Sequence, residues 1–281
     1  MYTALDTLRK ILQVAHSREH RSFRRMAFVD SILAVYAVVH GTVRMGRALD
    51  DVLYPGYQQQ PLGEPIYIVA APRSGTTFLH RLLALDPQFT TFKLYQTILP
   101  ALTLYRAAER IGQVNGQLGD MLTALQARID TSSFGGWDGI HKTGLGHDEE
   151  DEGLFVHAMA SPAVMLLLPF AEEFEHLRFL DSWTDERRAR LVSYYRSCLQ
   201  RHLFHHPGKT LLAKNVLLPG RFEIVREAVP GARFVHVLRH PYEVLPSMLS
   251  LFTAPWRLHS PEIPLDGPEV QAMASLAIDY Y

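Results

Sequence analysis

The chain has 281 residues, of which 47% are hydrophobic and 20% charged, a composition typical of a globular protein with a sizeable core. Its net charge of −1 excludes a strong overall field that would attract nucleic acid or an anionic membrane. The single cysteine, Cys198, excludes an internal disulfide framework and a cysteine-based zinc site. We therefore expect no nucleic-acid partner, a reducing compartment and a cytoplasmic location.

The first 60 residues are predicted to be helical. Leucines recur at helical spacing between Leu5 and Leu12, and the charged, amphipathic start does not resemble a signal peptide. Residues 26–39 are almost wholly apolar, but 14 residues are too few to cross a bilayer. We expect a buried core helix there, with a membrane-surface or partner-binding helix and a true span as alternatives. A loop rich in Pro, Gly and Gln over 54–65 ends the region.

The next segment, IVAAPRSGTTFLHRLLALDP, combines a short buried strand over 66–70, a tight turn and a helix from about Thr76 that stops before Pro87. A strand that turns directly into a helix leaves unpaired N–H groups at the positive end of the helix dipole, which is an anion-binding arrangement. Gly75 lets the backbone fold closely around an oxyanion, and Arg73 adds a fixed positive charge. Three hydroxyl donors surround them, from Ser74, Thr76 and Thr77. The alternative is a well-capped helix without a ligand.

This turn differs from a mononucleotide P-loop. That motif reads G-x-x-x-x-G-K-[ST], where the lysine reaches the β- and γ-phosphates and the last residue holds Mg²⁺. Here Thr76 stands where the lysine would be, and the positive charge is at Arg73 instead. The later apolar strand ends in Arg239 rather than in an aspartate that would hold a metal. The pattern favours the 5′ group of a nucleotide without a metal-bridged triphosphate, and it predicts no metal.

The middle of the chain is predicted to be a helix followed by a loop. Residues 98–130 have an apolar face at helical spacing, formed by Leu118, Met121, Leu122, Leu125 and Ile129. Residues 132–153 form a long polar loop, of the kind that usually carries function. The apolar segment 154–170 has two interpretations, a part of the core, which we favour, or the lining of a pocket for a lipid-like or aromatic alcohol.

The C-terminal half predicts a parallel sheet. A helix is expected to start at Thr184 and to break at 205–208, and residues 210–214 form a short apolar strand. A helix over about 219–229 then leads into a second strand over 233–238. Strand, helix and strand in this order form a crossover unit, which implies parallel strands with helices on the faces of the sheet.

The second strand places another cation at the same edge. Arg239 ends the strand, and Pro241 at the first helical position fixes the turn that follows. Ser247 lies eight residues after Arg239, inside the next helix, so the two side chains can converge above the sheet edge. An arginine fork with a hydroxyl suits a second, separate phosphate.

Together the two segments resemble the sulfotransferases that use 3′-phosphoadenosine 5′-phosphosulfate (PAPS). In that family a P-[KR]-S-G-T-T loop serves the 5′-phosphosulfate, and a strand–arginine–helix–serine segment serves the 3′-phosphate. The stretch 209–241 is similar to the bacterial-type branch, and the resemblance covers about 64–252. It implies a three-layer, P-loop-like α/β fold with a central parallel sheet over 61–281 and a helical N-terminal extension over 1–60.

The resemblance also implies an activity. Such an enzyme moves a sulfuryl group from PAPS to a hydroxyl or amine of a small-molecule acceptor by in-line displacement, without a metal. Positioning and electrostatic stabilisation carry such a transfer, which assigns stabilisation of the leaving group to Arg73, with Lys214 as a second cation. The acceptor class stays open between a lipid-like alcohol, an aromatic alcohol and a carbohydrate. The alternatives are a non-catalytic nucleotide-binding member of the same fold and, less favoured, a P-loop kinase.

The general base is harder to assign. Many members of the family place a histidine two residues beyond the strand lysine, where this chain has Val216. Others place a glutamate shortly after the loop helix, where this chain has Gln96. The remaining candidate is the run HDEEDE over 147–152, because clustered carboxylates raise one another's pKa. We select Glu150 and Glu152 from it, with His147 in reserve, against the alternative of a solvated face.

The sequence ends within an apparent helix over 268–281. Members of the family generally continue with segments that complete the fold and the donor site. The resemblance therefore predicts that the C-terminal part of the α/β domain is incomplete or has diverged.

Overall fold

The computed structural model describes residues 2–117 and 146–281, so the predicted apolar face at 118–129 and most of the predicted polar loop lie outside the described residues. The helices are α1 (Tyr2–Ala15), α2 (Phe23–Leu53), α3 (Thr76–Leu83), α4 (Leu94–Ile98), α5 (Leu102–Gln117), α6 (Glu152–His157), α7 (Asp185–His205), α8 (Phe222–Ala228), α9 (Pro241–Thr253), α10 (Trp256–His259) and α11 (Pro268–Tyr280). The strands are β1 (Ile66–Val69), β2 (Phe89–Thr90), β3 (Thr210–Asn215) and β4 (Arg233–His236). Short 3-10 turns span Pro55–Gln59, Pro162–Leu166, Ala171–Leu177, Leu180–Ser182 and Leu218–Arg221.

The four strands form one parallel sheet in the order β2-β3-β1-β4. In the centre of the sheet, Val69 at the end of β1 lies opposite Asn215 of β3 and His236 of β4. The carboxyl ends of these three strands therefore meet at one edge, which is where open α/β sheets bind ligands. The predicted α/β fold with a central parallel sheet is confirmed.

Helices cover the two faces of this sheet. Successive side chains of a strand point to opposite faces, and two contacts identify the covering helices. The Tyr67 hydroxyl of β1 lies 2.9 Å from that of Tyr195 in α7. The Lys214 ammonium of β3 reaches Thr77 of α3 on the other face. The site at the carboxyl edge is thus flanked by α3 on one side and supported by α7 on the other.

The structure confirms several helix starts that local residue preferences predicted. Helix α7 begins directly after Thr184, and α9 begins at Pro241, a residue favoured at the first helical position. Strand β3 ends one residue later than predicted, at Asn215. Helix α8 is shorter than predicted, because the 3-10 turn Leu218–Arg221 occupies its expected first turn.

The core is continuous between the N-terminal helices and the sheet. Ile11 and Val14 of α1 and Val29 of α2 belong to the same buried apolar cluster as Leu199 of α7 and Leu211 of β3. The segment 154–170 contributes to this cluster as well, through Leu154, Phe155, Met159, Ala160, Val164, Met165, Leu168 and Phe170. Its favoured interpretation as core is therefore confirmed. The boundary at residue 60 between a helical N-terminal extension and the α/β domain stays a prediction.

The expectation of a buried helix over 26–39 is wrong for most of that segment. It lies within α2, a helix of 31 residues, and Val35 and Val38 are 62% and 71% exposed. Residues 2–117 and 146–281 cover only one side of α2, for example where the backbone at Gly46 approaches Leu104 of α5 so closely that a Cβ would lie 3.0 Å from it. Within the described ranges, α2 is the one helix that is long and apolar enough, by length and composition alone, to cross a membrane.

Candidate active site

The loop between β1 and α3 has two residues in the left-handed region. Gly75, the residue before α3, has φ +85°, and Arg73 has φ +74°. Glycine adopts this conformation without strain, whereas a side chain makes it costly, and such strained residues cluster at functional sites. The Ser74 hydroxyl donates to the carbonyl of Ala71 at 2.8 Å and closes the loop. The loop therefore presents the first N–H groups of α3, which have no partner within the helix.

Arg73 joins the two halves that the sequence predicted separately. Its Nε donates to the Ser247 hydroxyl of α9 at 3.1 Å. Arg239, which follows β4, donates through Nη1 to the Arg73 carbonyl at 2.8 Å. The three residues form what we call the arginine cluster. The predicted convergence of Arg239 and Ser247 thus takes place around Arg73, and the Arg73 guanidinium lies with the predicted 3′-phosphate pair.

A second group, the lysine cluster, comprises Lys214, Thr77 and Glu150. Lys214 is fully buried at the end of β3, and its Nζ lies 2.9 Å from Thr77 Oγ1 and 3.1 Å from Glu150 Oε1. A buried ammonium is costly unless it is paired and hydrogen-bonded. Glu150 and the α3 hydroxyl supply that compensation, and they bring a carboxylate, a cation and a hydroxyl together beside the loop between β1 and α3.

The two predicted carboxylates occupy different environments. Glu150 lies in the lysine cluster, whereas Glu152 is buried at the start of α6, where it forms an ion pair with Arg221 and accepts a hydrogen bond from Ser161. Burial raises the pKa of Glu152 to about 7, although the Arg221 charge opposes that shift. Glu152 is therefore part of the core beneath the site, and Glu150 is the carboxylate beside the loop.

The rest of the acidic run is also partnered. Asp151 is fully buried, and burial raises its pKa to about 6. Burial would raise the pKa of Asp148 too, but hydrogen bonds from Lys93 and Thr91 lower it overall. The interpretation as a solvated face does not hold for Asp151 and Glu152.

The remaining predicted candidates have structural contacts. His147 is exposed, and its carbonyl accepts the N–H of Leu94 at 3.1 Å. Gln96 is buried in α4, where its side-chain oxygen accepts the N–H of Lys93 at 2.9 Å. Gln96 thus takes a capping role at the position where the resemblance led us to expect a glutamate.

Three contacts of the site escaped the sequence analysis. Glu243 accepts a hydrogen bond from Arg239 Nε at 2.7 Å. The spacing of four residues between them at the start of a helix could have predicted this contact. The Tyr281 hydroxyl donates to the Arg239 carbonyl at 2.9 Å, and no local sequence pattern predicts that contact. Asn215, next to Lys214, donates to Asp151 at 2.8 Å.

The donor set suits anions. Three cationic side chains lie around the loop before α3. Lys214 of β3 donates to the Thr77 hydroxyl, Arg73 donates to the Ser247 hydroxyl, and Arg239, three residues after β4, donates to the Arg73 carbonyl. A Cβ at Gly75 would meet no atom within 4 Å, so the loop is open on that side. Over residues 2–117 and 146–281, no group of three or more His, Cys, Asp or Glu side chains could hold a metal ion.

Comparison with known proteins agrees with this geometry. Residues 65–276 match the model of a sulfotransferase family, described as Sulfotransfer_3. The chain is 25% identical over 281 residues to omega-hydroxy-beta-dihydromenaquinone-9 sulfotransferase Stf3 of Mycobacterium tuberculosis and of Mycobacterium bovis. That alignment covers 98% of this chain and 65% of the relatives, so the chain spans just under two thirds of their length.

Solved structures show the same fold. Sulfotransferase STF1 of Mycobacterium tuberculosis superposes with a TM-score of 0.72 at 16% identity, covering 98% of this chain and 70% of that one. Sulfotransferase STF9 of Mycobacterium avium gives a TM-score of 0.69 at 16% identity, covering 100% of this chain and 74% of that one. The predicted resemblance is confirmed, and the chain belongs to the sulfotransferase family.

Proposed function

We propose that this chain transfers a sulfuryl group from PAPS to a hydroxyl or amine of a small-molecule acceptor. The observation that supports this proposal is a pair of cationic groups at one sheet edge, the arginine cluster and the lysine cluster, joined through the loop 70–75. Two such groups suit a nucleotide with anionic groups at both the 3′ and 5′ positions. Membership of the sulfotransferase family points to the same donor.

Each cluster has a part in holding the donor. Arg239 and Ser247 suit the 3′-phosphate, because an arginine fork with a hydroxyl binds phosphate oxygens in a defined orientation. The N–H groups at the start of α3, with Gly75 and the hydroxyls of Thr76 and Thr77, suit the 5′-phosphosulfate. The bound donor supplies the sulfuryl group that is transferred.

The lysine cluster carries the proposed chemistry. In the transfer, the acceptor oxygen or nitrogen bonds to sulfur as the bond between sulfur and the bridging phosphate oxygen breaks. Lys214 and the loop N–H groups stabilise the negative charge that grows on the departing phosphate, an electrostatic contribution that is typically the largest in such reactions. Glu150 accepts the proton of the acceptor. Glu152 is less suited to that task, because Arg221 holds it in the core.

We further propose a lipid-like alcohol as the acceptor, in preference to an aromatic alcohol or a carbohydrate. Stf3, which shares 25% identity with this chain, is named for a hydroxylated menaquinone derivative. The exposed apolar side of α2 supports the choice, because the Tyr36 hydroxyl of α2 donates to the His157 carbonyl at 2.9 Å and so ties α2 to α6, which begins two residues after Glu150. A cytoplasmic location fits the free, buried Cys198.

Calorimetric titration tests the donor. We expect 3′,5′-bisphosphoadenosine to bind more tightly than 5′-AMP or Mg·ATP, and Arg239→Ala to weaken it by about 10-fold to 100-fold, the range for hydrogen bonds to a charged group. Arg233→Ala, at the other end of β4, is the matched control and is expected to leave binding unchanged. No preference for the bisphosphate would overturn the donor assignment, and preferential binding of Mg·ATP would favour a kinase.

Transfer from radiolabelled PAPS tests the reaction. A hydroxylated isoprenoid quinone, a naphthol and an oligosaccharide serve as acceptors, and we expect product with the quinone. Glu150→Gln is expected to lower kcat by about 10²-fold to 10⁴-fold, the usual contribution of a general base, without loss of bisphosphate binding. Tight bisphosphate binding with no transfer to any acceptor would indicate a non-catalytic member.

A further inference from the structure

We propose that Asp151 is a positioning residue that holds Glu150 against Lys214 through a buried network with Asn215, Tyr195 and Tyr67. This inference rests on the proposed function only for its consequence in catalysis. The geometry itself belongs to the fold and can be tested without any substrate.

The network begins where two neighbouring pairs of residues meet. Glu150 Oε1 lies 3.1 Å from Lys214 Nζ. The residues that follow these two in the chain are also in contact, because Asn215 Nδ2 donates to the Asp151 carboxylate at 2.8 Å. The Asp151 N–H also donates to the Lys214 carbonyl at 3.3 Å. Adjacent side chains of a strand point to opposite faces, so Lys214 faces the loop while Asn215 faces the core. Three contacts thus fasten the acidic segment to the end of β3.

Asp151 is also tied to the opposite face of the sheet. Its carboxylate accepts from the Tyr195 hydroxyl of α7, which lies 2.9 Å from the Tyr67 hydroxyl of β1. Tyr67, Tyr195, Asp151 and Asn215 are fully buried. A buried polar network that is fully hydrogen-bonded fixes one arrangement, since leaving any member without its partner costs the desolvation of that group.

The consequence concerns Lys214, which has no exposed surface. Glu150 is held there by its own ion pair and by the anchoring of its neighbour Asp151. If the hydrogen bonds of Asp151 are weakened, the acidic run 147–152 separates from β3 more often. Such local opening determines how often the Lys214 amine is exposed to solvent. The reactivity of the Lys214 amine therefore reports on how firmly Asp151 holds Glu150.

The test is the rate at which acetic anhydride labels Lys214, measured by mass spectrometry on the full chain without nucleotide. Tyr195→Phe removes one hydrogen bond from Asp151 and keeps the ring. We expect labelling to accelerate about fivefold, the change in open population expected when one buried hydrogen bond is lost. Asn215→Ala, which removes the other side-chain donor to Asp151, is expected to change the rate in the same direction.

Tyr194→Phe is the matched control. Tyr194 is the preceding residue of α7, and its hydroxyl donates to the Leu154 carbonyl at 3.2 Å instead of to Asp151. We expect this variant to label Lys214 at the parent rate. Equal rates for Tyr195→Phe and Tyr194→Phe, with the secondary structure of both intact by circular dichroism, would overturn the positioning role.

Two further readouts separate this inference from the proposed function. Bisphosphate affinity of Tyr195→Phe is expected to stay at the parent value, while kcat with the quinone acceptor falls, a split that a general loss of folding would not produce. If the parent binds no bisphosphate, the proposed function fails, and the labelling comparison still decides the role of Asp151.

Discussion

Two glycines that face open space allow backbone strain to be measured without crowding. A Cβ would meet no atom within 4 Å at Gly75 or at Gly41, but only Gly75 has a positive φ, of +85°. Gly75→Ala is expected to destabilise the fold by about 1–2 kcal/mol, the cost of a side chain in the left-handed region. Gly41→Ala, inside α2, is expected to stabilise it by about 1 kcal/mol, because glycine is a poor helix former.

Thermal unfolding distinguishes these two outcomes. For a chain of this size, about 1 kcal/mol shifts Tm by roughly 2–4 °C, so the two variants should move to opposite sides of the parent. A rise in Tm for Gly75→Ala would show that the loop does not require the left-handed conformation. Loss of bisphosphate affinity in that variant alone would link the same conformation to anion binding.

Single residues also show what can be predicted from the sequence. Gly75, Pro241 and Thr184 act through their own backbone preferences, and the helices that follow them begin within one residue of the predicted positions. The positive φ of Arg73 was not predicted, because an arginine has no intrinsic preference for that region. The surrounding loop and the contacts to Arg239 and Ser247 hold it there.

At the scale of elements, α2 provides the sharpest test of the packing. Val38→Ala, at a side chain 71% exposed, is expected to change the free energy of unfolding by less than about 0.5 kcal/mol. Val29→Ala, at a side chain with no exposure, is expected to lower it by about 2 kcal/mol through lost burial and a cavity. Both replacements put alanine for valine in the same helix, so the difference between them isolates burial.

Urea unfolding of both variants measures this difference. Equal, large losses would mean that the outer side of α2 is covered in solution, and the expectation of a core helix would then be restored for residues 26–39. Periodicity alone did not decide the matter, because α2 is apolar on both sides. Tertiary contacts determine which side is buried: α1 packs on the N-terminal half of α2, and α5 packs near Gly46.

Other elements show the same dependence on tertiary contacts. β2 has only two residues, which are too few for an alternating pattern to be recognised. It is defined by its pairing with β3. The 3-10 turns between 162 and 182 have no clear period, yet they bury Val164, Met165 and Phe174. Their burial was predictable from composition, but their conformation was not.

For the whole molecule, the topology was predictable and the long-range pairs were not. The order of strands and helices required a parallel sheet, and a parallel sheet brings the ends of β1, β3 and β4 to one edge. The choice between Glu150 and Glu152 depended on which faced Lys214 and which faced Arg221. Those partners are 64 and 69 residues away along the chain, beyond the reach of any local pattern.

The pH dependence of stability is the property that involves the whole molecule. Burial lowers the pKa of His80 and His206 to about 4 and that of His157 to about 3, and it lowers the pKa of His202 as well. These four histidines bind protons more readily when the chain unfolds, so the stability they contribute is lost as the pH falls below 6.5. Asp151 and Glu152 act in the opposite direction.

The two carboxyls have a raised pKa in the folded state, of about 6 and about 7. Their contribution is therefore greatest below pH 4 and is lost as the pH rises towards 7. Burial also lowers the pKa of His40, His176 and His259, so among the described residues seven histidines oppose these two carboxyls. Unfolding between pH 4.5 and 6 therefore takes up protons, and stability falls on acidification. The histidines outweigh the carboxyls, and Tm should fall steadily as the pH drops from 6.5 to 4.5.

Urea unfolding at several pH values measures this slope, and one histidine variant tests its origin. His206→Gln removes one of these histidines and is expected to reduce the slope by about one proton, because His206 takes up about one proton on unfolding over this range. If stability rises on acidification, Asp151 and Glu152 outweigh the histidines in setting the pH dependence. If the slope is unchanged in His206→Gln, that histidine does not contribute to it.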